Sequence, residues 1–182
     1  ENNGEYDEAR RHYEQALTYN TANPEVGFWS QKAADNYNNL GTLSYKLGEY
    51  DQALSYFDTS LVIHDSLFPE NHPFFAGLYN NIGAVHSIMG NYRKAYEFLD
   101  KSLTCNKLNL GRNHPEVADA YANMGILLLG RGDVNKALLH FQKAYAIRVE
   151  HYGENHPITA RTCNYIGDCF LLKNEFDKAY EW

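Results

Sequence analysis

Little in this sequence could carry chemistry by itself. Cysteine is scarce: Cys105, Cys163 and Cys169 form an odd set with no Cys-x-x-Cys pair. That argues against a disulfide framework and a thiolate zinc site, and suits a reducing, cytoplasmic setting. No apolar run reaches the ~18 residues of a bilayer-crossing helix, so no membrane insertion is expected. Basic residues are outnumbered, 16 Lys+Arg against 23 Asp+Glu for a net charge of −7. They form no stripe that could track a phosphate backbone, which speaks against nucleic acid as a partner. The chain starts at Glu1 with neither an initiator methionine nor a signal-like stretch. It is therefore expected to be part of a longer protein.

What is present is a period. "PENHPFFA", "GRNHPEVA" and "GENHPITA" place Pro73, Pro115 and Pro157 at intervals of 42 residues. Laid on itself at that spacing, the chain aligns "YNNLGTLSYKLGEYDQALSYF" from Tyr37, "YNNIGAVHSIMGNYRKAYEFL" from Tyr79, "YANMGILLLGRGDVNKALLHF" from Tyr121 and "CNYIGDCFLLKNEFDKAYEW" from Cys163. Tyr79, Ile82, Gly83 and His86 fall at i, i+3, i+4 and i+7, the spacing of one buried helix face. Gly48, Gly90, Gly132 and Asn174 follow each such helix and tolerate the left-handed conformation in which helices end. A second stripe begins at Tyr50, Tyr92, Val134 and Phe176 and continues with Phe57, Leu99 and Phe141. Each copy is thus a helix, a tight turn and a second helix, whose leftover apolar surface the next copy covers.

Glycine inside a helix costs roughly 1 kcal/mol against alanine, so Gly41, Gly83, Gly125 and Gly167 at one phase require a close approach. Ala53, Ala95, Ala137 and Ala179 are the expected partners across that seam. Asn-His-Pro reads as a helix start rather than a site, because proline suits the first helical position and the residue before it is pushed out of the helical region. No nucleophile or acid recurs beside these histidines, and Glu70, Arg112 and Glu154 differ in sign at one phase. "HYGENHP" reads as a solvated linker rather than a metal site built from His151, Glu154 and His156. Cys163 and Cys169 are expected in the core and Cys105 partly exposed; Tyr6, Tyr50 and Tyr92 are expected to pack with their hydroxyls outward. Every glycine is absorbed by the repeat, so no phosphate loop remains. No cofactor and no catalytic residue is expected.

Tyr37, Leu40, Gly41, Ala53 and Phe57, with their equivalents in later copies, match the Trp-x2-Leu-Gly-x2-Tyr…Ala-x3-Phe order, and the chain resembles tetratricopeptide repeat proteins. The 42-residue period and "LGRNHPEVA" are similar to the kinesin light chain type. The resemblance implies an all-α, right-handed superhelical solenoid of antiparallel helix pairs. The units would be the second helix of an incomplete repeat at 1–22, repeats at 23–65, 66–107 and 108–149, and a truncated repeat at 150–182. The first linker, "TANPEVGFWSQ", departs from the pattern by two extra residues and carries Phe28 and Trp29. Neither end reads as a capping helix.

The resemblance further implies a protein–protein interaction scaffold whose first helices line a concave groove for a partner peptide or helix. Carried over by position, that groove presents Asp35, Asn38, Asn39, Thr42 and Tyr45 from one copy, and Asn80 and Asn81 from the next. Asp119 and Asn123 follow, then Arg161, Asn164 and Asp168. Two readings of the asparagine rows stay open: contact with the backbone of an extended peptide, or hydrogen bonding that holds neighbouring helices in register. Lys46 is the one lysine at these groove positions, which argues against the two-carboxylate clamp of chaperone-binding relatives. An alternative is a structural spacer or sensor arm in a larger signalling, ciliary or cytoskeletal assembly, contacting neighbours or flanking domains of its own chain by its outer face or ends.

Overall fold

The computed structural model describes residues 3–22 and 27–182. All regular structure among them is helical: α1 (Asn3–Ala22), α2 (Gln31–Lys46), α3 (Tyr50–Leu67), α4 (Phe74–Ile88), α5 (Tyr92–Leu110), α6 (Pro115–Gly130), α7 (Val134–Tyr152), α8 (Pro157–Leu172) and α9 (Phe176–Glu181). Consecutive helices pack in antiparallel pairs, α2 on α3, α4 on α5 and α6 on α7, and the pairs stack into a right-handed superhelical solenoid. Of the expected first linker, residues 23–26 lie outside the described residues; Phe28 and Trp29 are exposed, their rings edge to face at 5.3 Å.

Each hairpin turn is built alike. Gly48, Gly90, Gly132 and Asn174 take φ of 79°, 76°, 88° and 59°. The following residue donates its N–H back five positions: Glu49 to Ser44, Asn91 to His86, Asp133 to Leu128 and Glu175 to Phe170, at 2.8–2.9 Å. This closure satisfies carbonyls that a helix end would otherwise leave unpaired. The other ends also start as expected. The imidazole Nδ1 atoms of His114 and His156 accept the N–H groups of Glu116 and Ile158 at 3.3 Å, with Pro115 and Pro157 as first helical residues. At His72 the same bond, from Phe74 at 3.4 Å, opens a helix that begins one residue later. There Pro69 stands at the phase of Gly111 and Gly153, which adopt φ of 85° and 82°. Proline cannot take a positive φ, and the left-handed residue is instead Asn71, at 64°.

The glycine seam is occupied differently from the expectation. A β-carbon on Gly41, Gly83 or Gly125 would stand 2.6, 2.8 or 2.6 Å from the side chain of Phe57, Leu99 or Phe141 respectively. The large residue four positions after the alanine fills the gap, while the alanine contributes its backbone rather than its side chain: the Ala95 carbonyl oxygen is 3.3 Å from a β-carbon placed on Gly83 and that of Ala179 3.6 Å from one on Gly167. Ala53, Ala95 and Ala137 instead pack onto the next first helix, with Ile82 and Val85, Met124 and Leu127, and Ile166 and Cys169. The seam thus ties each pair internally through an aromatic or leucine, and to its successor through a small residue. Serine hydroxyls add a second tie: Ser60 donates to the carbonyl of Ala34 and Ser102 to that of Ala76, both at 2.8 Å.

Cys105 is fully buried, correcting the expectation of partial exposure, and its Sγ lies 3.3 Å from the carbonyl oxygen of His72. Cys169 is buried and Cys163 half-buried. Burial raises the pKa of all three thiols, that of Cys169 to about 11, so they stay protonated at neutral pH. Phe176 and Tyr92 begin their helices at exposed edges rather than in the apolar stripe.

Candidate functional site

The first helices contact one another directly, α2 with α4 and α4 with α6. Across these contacts runs a ladder of carboxamides. Asn81 Nδ2 donates to Asn38 Oδ1 at 3.2 Å, and Asn123 Nδ2 donates to Asn80 Oδ1 at 2.7 Å. Asparagine is a mediocre helix former, and half-buried here its amide needs a partner. The partner is the asparagine one position earlier in the preceding copy, so the ladder fixes the register of successive first helices. A further rung would need residues 122 and 165, which are Ala122 and Tyr165. The Tyr165 ring instead lies parallel to Phe141, centroids 5.0 Å apart.

Where the ladder stops, a cavity of about 390 Å³ opens between α4, α6, α7 and α8. Its polar wall is Asn80, Asn123, Asp119, Arg148 and Arg161; its apolar wall is Ala122, Ile126, Ile158 and Tyr165. A smaller recess of about 160 Å³ continues it along α4 and α5, sharing Asn80, Asp119 and Asn123 and adding Gly77, Asn106 and Glu116.

Arg148 dominates the electrostatics. Its side chain is 2% exposed, and its guanidinium donates to Asp119 Oδ1 at 2.6 Å, to Thr162 Oγ1 and to the Ile158 carbonyl at 3.4 Å. A buried guanidinium persists only with such compensation. Its Nε is buried with no partner among the described residues, while Asp119, 51% exposed, faces the cavity.

Arg148 belongs to a phase that the sequence reading passed over. His64, Asn106 and Arg148 are 42 residues apart near the ends of α3, α5 and α7. All three are buried. Asn106 Nδ2 reaches the Glu116 carbonyl at 3.4 Å, ten residues on, as Arg148 reaches Ile158. His64 Nε2 lies 3.7 Å from Asp35 Oδ1, twenty-nine residues back, as Arg148 lies from Asp119. Burial among Phe68, Phe74 and Phe75 pushes the His64 pKa down, with Asp35 opposing. The missed signal was a polar residue at constant phase whose identity changes in every copy.

Of the residues expected in the groove, Asn80, Asp119, Asn123 and Arg161 converge on the cavity. Asn38, Asn39 and Asn81 are half-buried on the preceding stretch, and Thr42 donates its hydroxyl to the Asn38 carbonyl at 3.0 Å. Asp35 is exposed 3.7 Å from His64 Nε2, and Tyr45 packs toward Tyr50 at the hairpin turn, ring centroids 6.1 Å apart. Asn164 and Asp168 are exposed on α8 and line neither recess. Among the described residues no group of three His, Cys, Asp or Glu is placed to hold a metal ion, and no helix is long and apolar enough to cross a membrane.

Two family models, both described as tetratricopeptide repeat, match residues 74–150 and 1–68. Among solved structures, BtubC (BKLC) from P. vanneervenii superposes with a TM-score of 0.88 at 23% identity, over 98% of this chain and 70% of that one. A putative kinesin light chain with nearly identical repeats, from Podosopora anserina, gives 0.81 at 16% identity over 98% and 84%. MamA from Desulfovibrio magneticus RS-1 gives 0.64 at 19% over 97% and 88%. No curated protein sequence matches the chain.

Proposed function

Because the chain belongs to the tetratricopeptide repeat family, a family of protein-interaction scaffolds, we propose that it binds a peptide segment of a partner protein in the groove lined by its first helices, centred where the asparagine ladder ends. The observation that carries this reading is the cavity itself. It combines an exposed apolar side chain, Ile126, with carboxamides that still have unused hydrogen-bonding capacity and with one exposed cation, Arg161. A few placed polar groups in an apolar recess are what an extended peptide needs for both affinity and orientation.

The ladder changes how this is tested. Alanine at Asn81 or Asn123 would remove bonds between helices, so weaker binding would not distinguish a lost contact from a loosened stack. Ile126 and Arg161 are exposed and offer a cleaner probe. Peptides selected from a random library on the wild-type chain should bind an Ile126→Glu/Arg161→Ala variant at least tenfold more weakly in fluorescence polarisation, with unchanged circular dichroism. Equal affinities would move the interface away from this cavity.

A further inference from the structure

The outer side of the solenoid holds a further recess, of about 300 Å³, between the second helices α5 and α7. It is lined by Arg131, Lys136, His140 and Lys143, with Asp133 as the acid, and its apolar walls are Tyr96, Leu128 and Leu139. Lys107 flanks it: the ammonium groups of Lys107 and Lys143 both stand over the Tyr121 ring, at 4.8 and 5.3 Å from its centroid. The Tyr121 and His140 rings are 5.7 Å apart. Arg131 is paired with Asp133 at 3.3 Å. Lys107, Lys136 and Lys143 have no carboxylate within ion-pair distance among the described residues. Burial, and then Lys143 and Lys107, push the His140 pKa down, with Asp100 on α5 opposing. His140 Nδ1 is buried without a hydrogen-bond partner among the described residues.

Each ammonium is attracted by the ring face, but the two repel one another, and this basic cluster stands out in a chain of net charge −7. The preceding copy shows that the fold does not require them. At the positions of Lys107, Arg131, Leu139 and His140 it carries Asp65, Met89, Glu97 and Phe98. Asp65 to Lys107, Met89 to Arg131 and Glu97 to Leu139 each move toward positive charge, Asn91 to Asp133 adds the one acid, and Lys94 and Lys101 persist as Lys136 and Lys143. The replacement of Phe98 by His140 puts a polar edge where the earlier copy has a ring packed on Tyr79 at 6.0 Å.

We propose that this recess binds the phosphoryl group of a phosphorylated serine or threonine on a protein partner. A phosphoryl group carries about −1.5 to −2 charge at neutral pH and three acceptor oxygens, which complements lysines that have no carboxylate partner. The apolar walls accept the aliphatic part of the residue that bears it.

The test uses the whole chain and three probes, inorganic phosphate, N-acetyl-phosphoserine amide and N-acetyl-serine amide, followed by two-dimensional NMR. Phosphoserine amide should give saturable shifts confined to α5, the α6–α7 turn, α7 and the His140 ring, bind more tightly than inorganic phosphate, and leave serine amide without effect. Arg131→Met/Leu139→Glu restores side chains that the preceding copy already carries at exposed positions, so it should fold normally and weaken binding at least tenfold. Lys94→Ala/Lys101→Ala, in the preceding copy, should leave binding unchanged. Non-saturating shifts, or equal losses in both double variants, would mean unspecific ion attraction and overturn the site. Inorganic phosphate binding as tightly as phosphoserine amide would overturn the assignment to a modified side chain.

Discussion

The seam glycines permit a test in which the protein supplies its own control. Replacing glycine by alanine inside a helix gains up to roughly 1 kcal/mol from backbone entropy, and Gly125 and Gly167 occupy one phase in α6 and α8. Their surroundings differ. A β-carbon on Gly125 would meet three atoms of the Phe141 ring at 2.6–2.8 Å. That ring is fully buried and backed by Tyr165, so it has nowhere to move. A β-carbon on Gly167 would have its nearest neighbour, the carbonyl oxygen of Ala179, at 3.6 Å, an ordinary contact. Overpacking of a filled core costs about 1–3 kcal/mol. Gly167→Ala should therefore stabilise by about 0.5–1 kcal/mol, while Gly125→Ala should lose up to about 2 kcal/mol after the same helix gain is credited. For a chain of this length 1 kcal/mol shifts Tm by roughly 2–4 °C, so the two variants should melt on opposite sides of the wild type. Urea titration followed by far-ultraviolet circular dichroism gives the free energies. If Gly125→Ala gained as much as Gly167→Ala, the close approach of Phe141 would not be the reason for the glycine.

Two further outcomes follow from buried polar and titratable side chains. Asp119→Ala leaves the Arg148 guanidinium buried without its carboxylate; because Asp119 is half in water, the expected loss is about 1–3 kcal/mol rather than the 3–5 of a fully buried pair, and adding Arg148→Asn, the residue this phase already carries at Asn106, should recover most of it in urea titration. Burial is the leading cause that pushes the pKa values of His64, His86 and His140 below the ordinary 6.5. As pH falls through that value the unfolded chain takes up protons that the folded protein refuses, so stability is full above about 6.5 and declines below it until the folded histidines protonate. The urea midpoint should fall between pH 8 and pH 5, and His64→Phe/His140→Phe should flatten the slope; a slope unchanged in that variant would place the acid sensitivity elsewhere.

The architecture was legible because its determinants are local. The left-handed residues at 48, 90, 132 and 174, the histidine-capped starts and the apolar stripes each act within one helix or one turn, and repetition made every signal visible several times. What crosses between helices was harder to read. The seam partner was assigned to alanine because a small residue suits a close approach, yet the glycine leaves room for the large Phe57 or Phe141, and the alanine faces the next pair. Nothing in the spacing distinguishes these two geometries. Arg148 escaped notice for the opposite reason: alignment by period rewards identity, and His64, Asn106 and Arg148 share burial and reach rather than chemistry.

The two readings of the asparagine rows, register and contact, are not alternatives at every rung. A carboxamide offers two N–H donors and two acceptor lone pairs, and the bond from Asn123 to Asn80 uses one donor of the first and one lone pair of the second. Both residues line the cavity, so the remaining capacity is open to a ligand there. The bond from Asn81 to Asn38 joins residues that line neither this cavity nor the smaller recess, which favours the register role for that rung. A carboxamide already held by its neighbour loses little further freedom when a peptide backbone arrives, and that preorganisation favours binding where the ladder is intact but exposed. The replacement of the next rung by Ala122 and Tyr165 removes the amides and opens apolar space instead. An array of nearly equal units thereby acquires one unequal place, and under the proposed peptide-binding reading Asn80 and Asn123 would meet the peptide backbone there while Ile126, Arg161 and Tyr165 would select its side chains.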